Sequence, residues 1–174
     1  MSRTLPIATL LLLANFALAG VALAAEGATA STTLKDADGK GVGTATLTET
    51  PNGILIALDL TGIAAGTRAF HVHAVGKCEG PDFKSAGPHF NPDGAKHGIM
   101  SEHGPHAGDM PNLEIPADGK LQVEVLNTLI RLKGENAVLD EDGAAIVVHA
   151  KADDYKTDPA GDAGDRIACG VIAQ

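Results

Sequence analysis

The sequence predicts an all-β fold, a sandwich or barrel of about eight short strands. Three observations carry this prediction. Apolar and polar residues alternate over short stretches, as expected of strands that bury one face. Residues that form turns, among them 21 glycines and 9 prolines, separate these stretches. Beyond the first 25 residues, no segment shows sustained helical periodicity.

The alternation is clearest where Ile54, Ile56, Leu58 and Leu60 face one way, directly after a turn at Asn52-Gly53. Asn and Gly tolerate the positive φ that tight hairpins require, so a hairpin is predicted here. In chain order, the predicted strands are Thr32–Lys35, Gly43–Thr50, Ile54–Leu60, Arg68–Ala74, Leu121–Leu126, Leu129–Lys133, Ala144–His149 and Ile167–Ile172.

Two long segments interrupt the strands, residues 75–119 and 150–165. The first is rich in Gly, Pro and His, and the second in Asp and Gly. Loops of such length in a compact domain are usually functional or disordered. The histidines and Cys78 favour function, because a metal and a disulfide would order the first loop.

The first 25 residues have the pattern of a secretory signal peptide. Arg3 precedes a nearly continuous apolar run, Leu5–Leu13, and Ala22-Leu23-Ala24 offers a cleavage site of small residues. A membrane anchor is the alternative, but Asn15 and Gly20 interrupt the apolar stretch and no stop-transfer charges follow. We therefore expect residues 26–174 to form one exported domain, with no stable membrane association after cleavage.

The charge balance excludes one class of partner. The whole chain has 13 basic and 22 acidic residues, and removal of Arg3 leaves 12 − 22, a net charge of −10. Binding to nucleic acid needs clustered Lys and Arg, so nucleic acid is not an expected partner.

The two cysteines, Cys78 and Cys169, predict a disulfide if the protein is exported, although two free or metal-bound thiols are the alternative. Closing a loop of about 90 residues would remove on the order of 4.5 kcal/mol of entropy from the unfolded state. Such a bond would also tie the long loop to the last strand.

Histidines cluster in a way that favours metal binding. His71 and His73 lie two residues apart on one predicted strand, so both point to one face, and His149 ends another strand. Two polar residues on a solvated face are the alternative. The remaining candidates, His89, His97, His106 and Asp109, lie in the first long loop.

Three imidazoles with one carboxylate suit zinc, whereas an all-imidazole set suits copper. Two sites with one shared histidine therefore fit the composition. His103 is a surplus histidine that competes with His106 on spacing alone.

In its motifs and their spacing, the chain resembles the copper,zinc superoxide dismutases over nearly all of its predicted mature length. The similar stretches are Phe70–His73 (FHVH), Ser85–Pro92 (SAGPHFNP), Lys96–Gly98 (KHG), His106–Asp109 (HAGD), Val147–Asp154 (VVHAKADD) and Gly164–Ile172 (GDRIACGVI). Their length, order and mutual spacing make the resemblance specific.

The resemblance implies an eight-stranded antiparallel Greek-key barrel, similar to an immunoglobulin sandwich. It also implies one copper and one zinc per chain, a bond between Cys78 and Cys169, and superoxide as the substrate. Copper would be bound by His71, His73, His89 and His149. Zinc would be bound by His89, His97, His106 and Asp109.

The same resemblance implies roles for three further groups. His89 would bridge the metals and take part in catalysis, Asp153 would orient one ligand of each metal, and Arg166 would attract the anion beside the copper. On residues alone, a surface ion pair with Asp162 or Asp165 is the simpler reading of Arg166.

Loop lengths resemble the bacterial periplasmic branch, so we expect a periplasmic location. The loop from Cys78 to His89 is longer, and the loop from His149 to Arg166 shorter, than in the common eukaryotic form of the family, so its dimer interface is not carried over. A homodimer and a monomer both stay open. A binding or delivery module for copper and zinc without turnover is the alternative function.

Overall fold

The computed structural model describes Met1 and residues 27–174 of the chain, and within them it contains nine strands. The strands are β1 (Thr29–Asp36), β2 (Gly41–Thr50), β3 (Gly53–Thr61), β4 (Gly66–Arg68), β5 (Phe70–His73), β6 (Leu113–Ile115), β7 (Lys120–Asn127), β8 (Ala145–His149) and β9 (Arg166–Val171). A short 3-10 helix, Lys84–Ala86, lies in the first long loop.

Seven strands form one antiparallel sheet in the order β5-β8-β9-β1-β2-β3-β7, and β4 pairs with β6 separately. The β1–β2–β3 meander follows from local turns, with Thr50 paired to Gly53 across the predicted hairpin. β9 pairs with β1 through only two residue pairs, Lys35↔Cys169 and Asp36↔Ala168. At this end, β1 thus passes from pairing with β2 to pairing with β9. This arrangement confirms the predicted all-β antiparallel class.

The alternation read from the sequence matches burial along the strands. Ile54, Ile56, Leu58 and Leu60 of β3 are buried, whereas Asp59 is exposed. Burying each such aliphatic side chain contributes about 1.5–3 kcal/mol, before the entropy of ordering is subtracted. β5 and β8 differ, because every residue in both is buried. The metal-binding candidates on those two strands therefore lie inside the protein.

One predicted strand is wrong. Residues 129–133 form no strand, although Ile130 and Leu132 are both buried and mimic the alternation of one. Three of their backbone N–H groups donate to side chains instead of a ladder, while Arg131 N donates to Asn136 O at 3.0 Å. Asn127 Oδ1 accepts from the amides of Leu129 and Ile130, at 2.8 and 3.2 Å, and Glu49 Oε2 accepts from Leu132 at 2.7 Å.

Two further features of the strands differ from the prediction. The expected strand Arg68–Ala74 is divided at Ala69 into β4 and β5, which belong to different sheets. A three-residue strand, β6, lies within the first long loop, where no strand was predicted. These two changes, with the loss of 129–133, turn eight predicted strands into nine.

Cys78 and Cys169 form a disulfide, as predicted, with Cα atoms 5.6 Å apart. The bond fastens the start of the first long loop to β9. Phe83, Ala86, Ala145 and Val147 pack beside it as a small buried cluster.

In the part of the chain that the structure describes, no helical segment has the length and hydropathy of a membrane-spanning helix. The predicted signal segment, residues 1–25, lies outside the described residues except for Met1.

Candidate metal centre

Backbone pairing places the strand-borne histidines. β5 and β8 run antiparallel, with His71 opposite Val147 and His73 opposite Ala145. His149 lies at the end of β8, opposite Arg166 of β9. The ring centroids of His71 and His149 are 4.9 Å apart, and those of His73 and His149 are 5.6 Å apart. All three histidines are almost fully buried.

The first long loop is attached to β5 by its backbone, and this attachment brings its ligands inward. Val72 N donates to Gly108 O at 2.9 Å, Gly108 N donates to Phe90 O at 2.8 Å, and Phe90 N donates to Val72 O at 2.8 Å. A Cβ at residue 108 would collide with Val72 O, so this close approach requires glycine. His89 and Asp109 directly adjoin these anchored residues.

One donor set consists of four histidines. It comprises His71, His73, His89 and His149, which offer ligand atoms within 4.8 Å of one another. The Nε2 atoms of His73 and His149 are 3.4 Å apart. The other ring nitrogen of each strand-borne histidine has an oxygen partner: Asp153 Oδ2 at 2.8 Å for His71 Nε2, Gly87 O at 2.9 Å for His73 Nδ1, and Gly164 O at 3.4 Å for His149 Nδ1.

A second donor set is centred on Asp109. It comprises His89, His97, His106 and Asp109. The Nδ1 atoms of the three histidines lie 2.9, 3.1 and 3.4 Å from Asp109 Oδ1, in that order. Asp109 Oδ2 faces away from them and accepts from Gly98 N at 2.8 Å and His106 N at 2.9 Å. These two backbone bonds fix the orientation of the carboxylate.

His89 belongs to both sets, through different nitrogens. Its Nδ1 contacts Asp109, while its Nε2 is buried without a hydrogen-bond partner among the described residues. His71 Nδ1 is buried and unpartnered in the same way. Leaving two such atoms unpaired is costly, on the order of 1–3 kcal/mol each. A cation bound by the four histidines would satisfy both atoms, so the first set fits a metal.

Asp153 connects the two sets by contacting one histidine of each. Its Oδ2 lies 2.8 Å from His71 Nε2, and its Oδ1 lies 3.0 Å from His97 Nε2. Asn112 holds Asp153 reciprocally, since Asn112 Nδ2 donates to Asp153 O at 2.9 Å and Asp153 N donates to Asn112 Oδ1 at 2.8 Å. Carboxylates in this position fix ring orientation and increase ligand basicity. The role of Asn112 was missed, because an Asn 41 residues away in sequence gives no pattern that points to it.

Burial keeps the strand-borne histidines neutral. It lowers the pKa of His71 to about 4, of His73 to about 2 and of His149 to about 3, because a charged imidazolium loses its solvation inside the protein. Neutral imidazoles carry the lone pairs that a metal needs.

Hydrogen bonds to carboxylates have the opposite effect on the loop side. Burial alone would lower the pKa of His97, but Asp109 and Asp153 outweigh it and raise that pKa to about 9. Burial would raise the pKa of each carboxyl, yet hydrogen bonds from His89 and His97 hold the pKa of Asp109 well below its usual range. Bonds from His71 and His97 do the same for Asp153.

Arg166 is fastened close to the four-histidine set. Its Nη1 donates to Phe83 O and its Nη2 donates to Gly87 O, both at 2.7 Å. Gly87 O also pairs with His73 Nδ1, so one carbonyl links the guanidinium to a ligand candidate. Burial lowers the pKa of Arg166 from its ordinary value, but a guanidinium stays charged near neutral pH. Neither Asp162 nor Asp165 forms an ion pair with it among the described residues.

His103 and Lys84 lie outside the donor sets. His103 is exposed and belongs to neither set, whereas His106 is buried and belongs to one. Lys84 lines the same cavity as Arg166, but its Nζ forms an exposed ion pair with Asp82 at 2.8 Å.

Comparison with known proteins agrees with this geometry. The sequence model of the family described as "Copper/zinc superoxide dismutase (SODC)" matches residues 42–172. This chain belongs to that family. The resemblance seen in the motifs is thereby confirmed, and membership supports copper and zinc as the cofactors of the two donor sets.

Two bacterial proteins illustrate the similarity within this family. "Superoxide dismutase [Cu-Zn] 2" of Aquifex aeolicus is 51% identical over 142 residues, covering 80% of this chain and 83% of that protein. "Superoxide dismutase [Cu-Zn]" of Caulobacter vibrioides is 46% identical over 147 residues, covering 82% of this chain and 84% of that protein.

Among solved structures, a SOD-like protein from Bacillus subtilis has a TM-score of 0.79 at 39% identity, covering 81% of this chain and 96% of that one. A double mutant of a SOD-like protein from the same organism, in which a tyrosine and a proline are replaced by histidine, has a TM-score of 0.80 at 40% identity. Its coverage is 83% of this chain and 97% of that chain.

Proposed function

We propose that this chain catalyses the dismutation of superoxide, in which two superoxide anions and two protons yield dioxygen and hydrogen peroxide. One copper and one zinc ion per chain would serve the reaction. The observation that carries the proposal is His89, whose two ring nitrogens face different donor sets. Family membership supports the same activity.

Ligand chemistry assigns the metals. The set of His71, His73, His89 and His149 offers imidazoles alone, which suits copper. The set of His89, His97, His106 and Asp109 offers three imidazoles and one carboxylate, which suits tetrahedral zinc. Copper, when bound, supplies the reversible one-electron exchange that the reaction requires and that zinc cannot provide.

Arg166 binds and orients the anionic substrate in this proposal. Its two bonds to backbone carbonyls hold the guanidinium plane in place, and no carboxylate of the described residues lies within ion-pair distance of it. A fixed positive charge beside the four histidines attracts an anion at close range, where salt screening is weak. The net charge of −9 over the whole chain acts from farther away.

His89 is proposed to deliver a proton at Nε2. Hydrogen peroxide contains two protons that superoxide lacks, so the site needs a proton donor next to the substrate. The Nε2 atom is the one that faces the four-histidine set, while Nδ1 is held 2.9 Å from Asp109 Oδ1. The contact with Asp109 therefore keeps the ring oriented when Nε2 carries a proton, which it would take from solvent and would hold only while that nitrogen is free of the metal.

We also propose that residues 1–25 direct export, that 26–174 is the mature domain, and that the compartment is the periplasm. Mass spectrometry of protein recovered from the exported fraction tests this, and an N-terminus near Ala25 or Glu26 is expected. Sedimentation of that material would distinguish a homodimer from a monomer.

The deciding experiment measures metal content and superoxide loss on the same purified protein. One copper and one zinc per chain with rapid superoxide loss supports the proposal. Full metal content without superoxide loss would instead favour the binding or delivery module. His103→Ala serves as a matched control for His106→Ala, because only the latter should lose zinc.

A further inference from the structure

A cavity of about 730 Å³ opens on the loop side of the metal centre, away from Arg166. His89 and His106, both members of the proposed zinc set, form part of its wall. Three aspartates, Asp140, Asp142 and Asp158, also line it. Among the residues that the structure describes, no lysine or arginine belongs to this wall.

The two ring nitrogens of His106 face different surroundings. Nδ1 lies 3.4 Å from Asp109 Oδ1, within the proposed zinc set. Nε2 has no hydrogen bond among the described residues, and its nearest carboxylate oxygen is Asp158 Oδ1 at 4.0 Å. The side chain is only 7% exposed, so an almost buried and unpartnered nitrogen faces the acidic cavity.

Asp158 contacts a second member of the zinc set, His97. Its Oδ1 accepts a hydrogen bond from the backbone N–H of His97 at 3.0 Å, while its Oδ2 pairs with exposed Lys96 at 2.8 Å. Lys96 offsets this one carboxylate. Asp140 and Asp142 are exposed and have no basic partner within ion-pair distance among the described residues.

We propose that this cavity is the route by which a hydrated divalent cation, zinc(II), reaches the zinc side of the centre. Asp140 and Asp142 attract the cation, and Asp158 with His106 Nε2 receives it before it passes to the inner donor atoms. The inference rests on the proposed assignment of zinc to His89, His97, His106 and Asp109.

Net charge alone does not account for such a route. A chain with 22 acidic and 13 basic residues attracts cations to much of its surface. Charges beyond a Debye length of about 8 Å are largely screened at physiological salt, so carboxylates in the cavity wall have the stronger effect on the approaching ion. A variant that changes net charge equally elsewhere separates the two effects.

The test mixes metal-free protein rapidly with cobalt(II), whose visible absorption reports binding in a four-coordinate site. The variant is Asp140→Asn with Asp142→Asn. Asparagine retains the oxygen with which Asp140 accepts from Gly143 N at 2.9 Å, so the local turn is preserved. The matched control is Asp38→Asn with Glu124→Gln, two exposed residues outside the cavity wall.

We expect the cavity variant to bind cobalt(II) about three- to tenfold more slowly than the control, with a weaker dependence on salt. Final stoichiometry should be one cobalt(II) per chain in both. Equal rates in the two variants would overturn the proposal.

A steric variant tests the same route without changing charge. Ala137 lines the cavity and is half-buried, so Ala137→Phe should narrow the passage. It should slow binding while the salt dependence stays that of the unmodified protein. An unchanged rate would show that the ion enters elsewhere. If the unmodified protein bound no four-coordinate cobalt(II) at equilibrium, the zinc assignment itself would fail, which is a separate result.

Discussion

The two halves of the metal centre are built in different ways. His71, His73 and His149 stand on paired strands, whose ladder bonds position them whether or not a metal is present. His97 and His106 stand in a long loop, where Asp109 holds both rings and the backbone beneath them. A sheet thus preforms one half, whereas one carboxylate organises the other.

The same difference appears in protonation. Burial keeps the strand-borne histidines neutral, with pKa values of about 4, 2 and 3 for His71, His73 and His149. Two carboxylates favour the charged form of His97 and raise its pKa to about 9. A metal ion therefore meets free lone pairs on the strand side, but it must displace a proton on the loop side.

The largest expected effect comes from Asp109→Asn, which removes the organising charge of the loop side alone. Because Asp109 is itself a proposed zinc ligand, we expect zinc affinity to fall by more than the roughly 100-fold upper range for loss of an outer carboxylate. Copper affinity should change far less. Titration of each metal into metal-free protein measures both, with exposed Asp118→Asn as the control. Equal losses of the two metals would contradict the division into halves.

Asp153→Asn should affect both halves, because Asp153 contacts His71 and His97. Loss of an outer carboxylate typically costs about 10–100-fold in metal affinity. Copper and zinc affinities should both decrease within that range. Asp154→Asn, one residue later and exposed, is the matched control. A loss confined to one metal would show that Asp153 does not couple the halves.

Metal-free protein should lose stability on both sides of neutral pH, for different reasons. Unfolded histidines bind protons below about pH 6.5, whereas folded His71, His73 and His149 do not until about pH 4 or lower. As pH falls through that window, each such histidine lowers the free energy of unfolding by up to about 1.4 kcal/mol per pH unit.

His97 acts in the opposite direction, since its raised pKa adds stability that is fully present below about pH 6.5 and is lost as pH rises through about 9. Urea unfolding from pH 4.5 to 9.5 measures both limbs. His97→Gln should remove the alkaline loss and keep the acid one. A flat profile in the unmodified metal-free protein would refute this account.

The smallest expected effect comes from replacing Arg166, which should leave both copper and zinc bound. Arg166→Gln should lower the second-order rate with superoxide about tenfold and flatten its salt dependence, with copper and zinc retained. Arg166→Lys keeps the charge and should keep the salt dependence. In the unmodified protein the rate should fall as salt rises. A rate that increases with salt would show that net charge, rather than Arg166, governs capture.

Sequence reasoning succeeded where chemistry repeats in a short pattern. It correctly predicted the alternation of β3, the hairpin at Asn52-Gly53 and the placement of the His-x-His pair on a strand, β5. Residues 129–133 misled, because Ile130 and Leu132 alternate like a strand while Asn127 and Glu49 satisfy their backbone. Side-chain acceptors that replace a ladder leave no periodic trace.

The ligand candidates and Asp153 came from residue type and family resemblance, whereas the backbone groups that support them did not. Gly87 O serves both Arg166 and His73, and Gly108 permits the loop to touch Val72. Each of these contacts depends on backbone atoms brought together by the fold. Backbone carbonyls carry no residue identity, so a sequence alone does not reveal them.

The central claim is that His89 joins the two halves, and electron paramagnetic resonance of Cu(II) tests it most directly. Protein loaded with copper on the strand side and diamagnetic zinc on the loop side should show the full Cu(II) signal. With paramagnetic cobalt(II) in place of zinc, coupling through one shared imidazole should suppress that signal. A Cu(II) signal of equal intensity with zinc and with cobalt(II), at one of each metal per chain, would contradict the bridge.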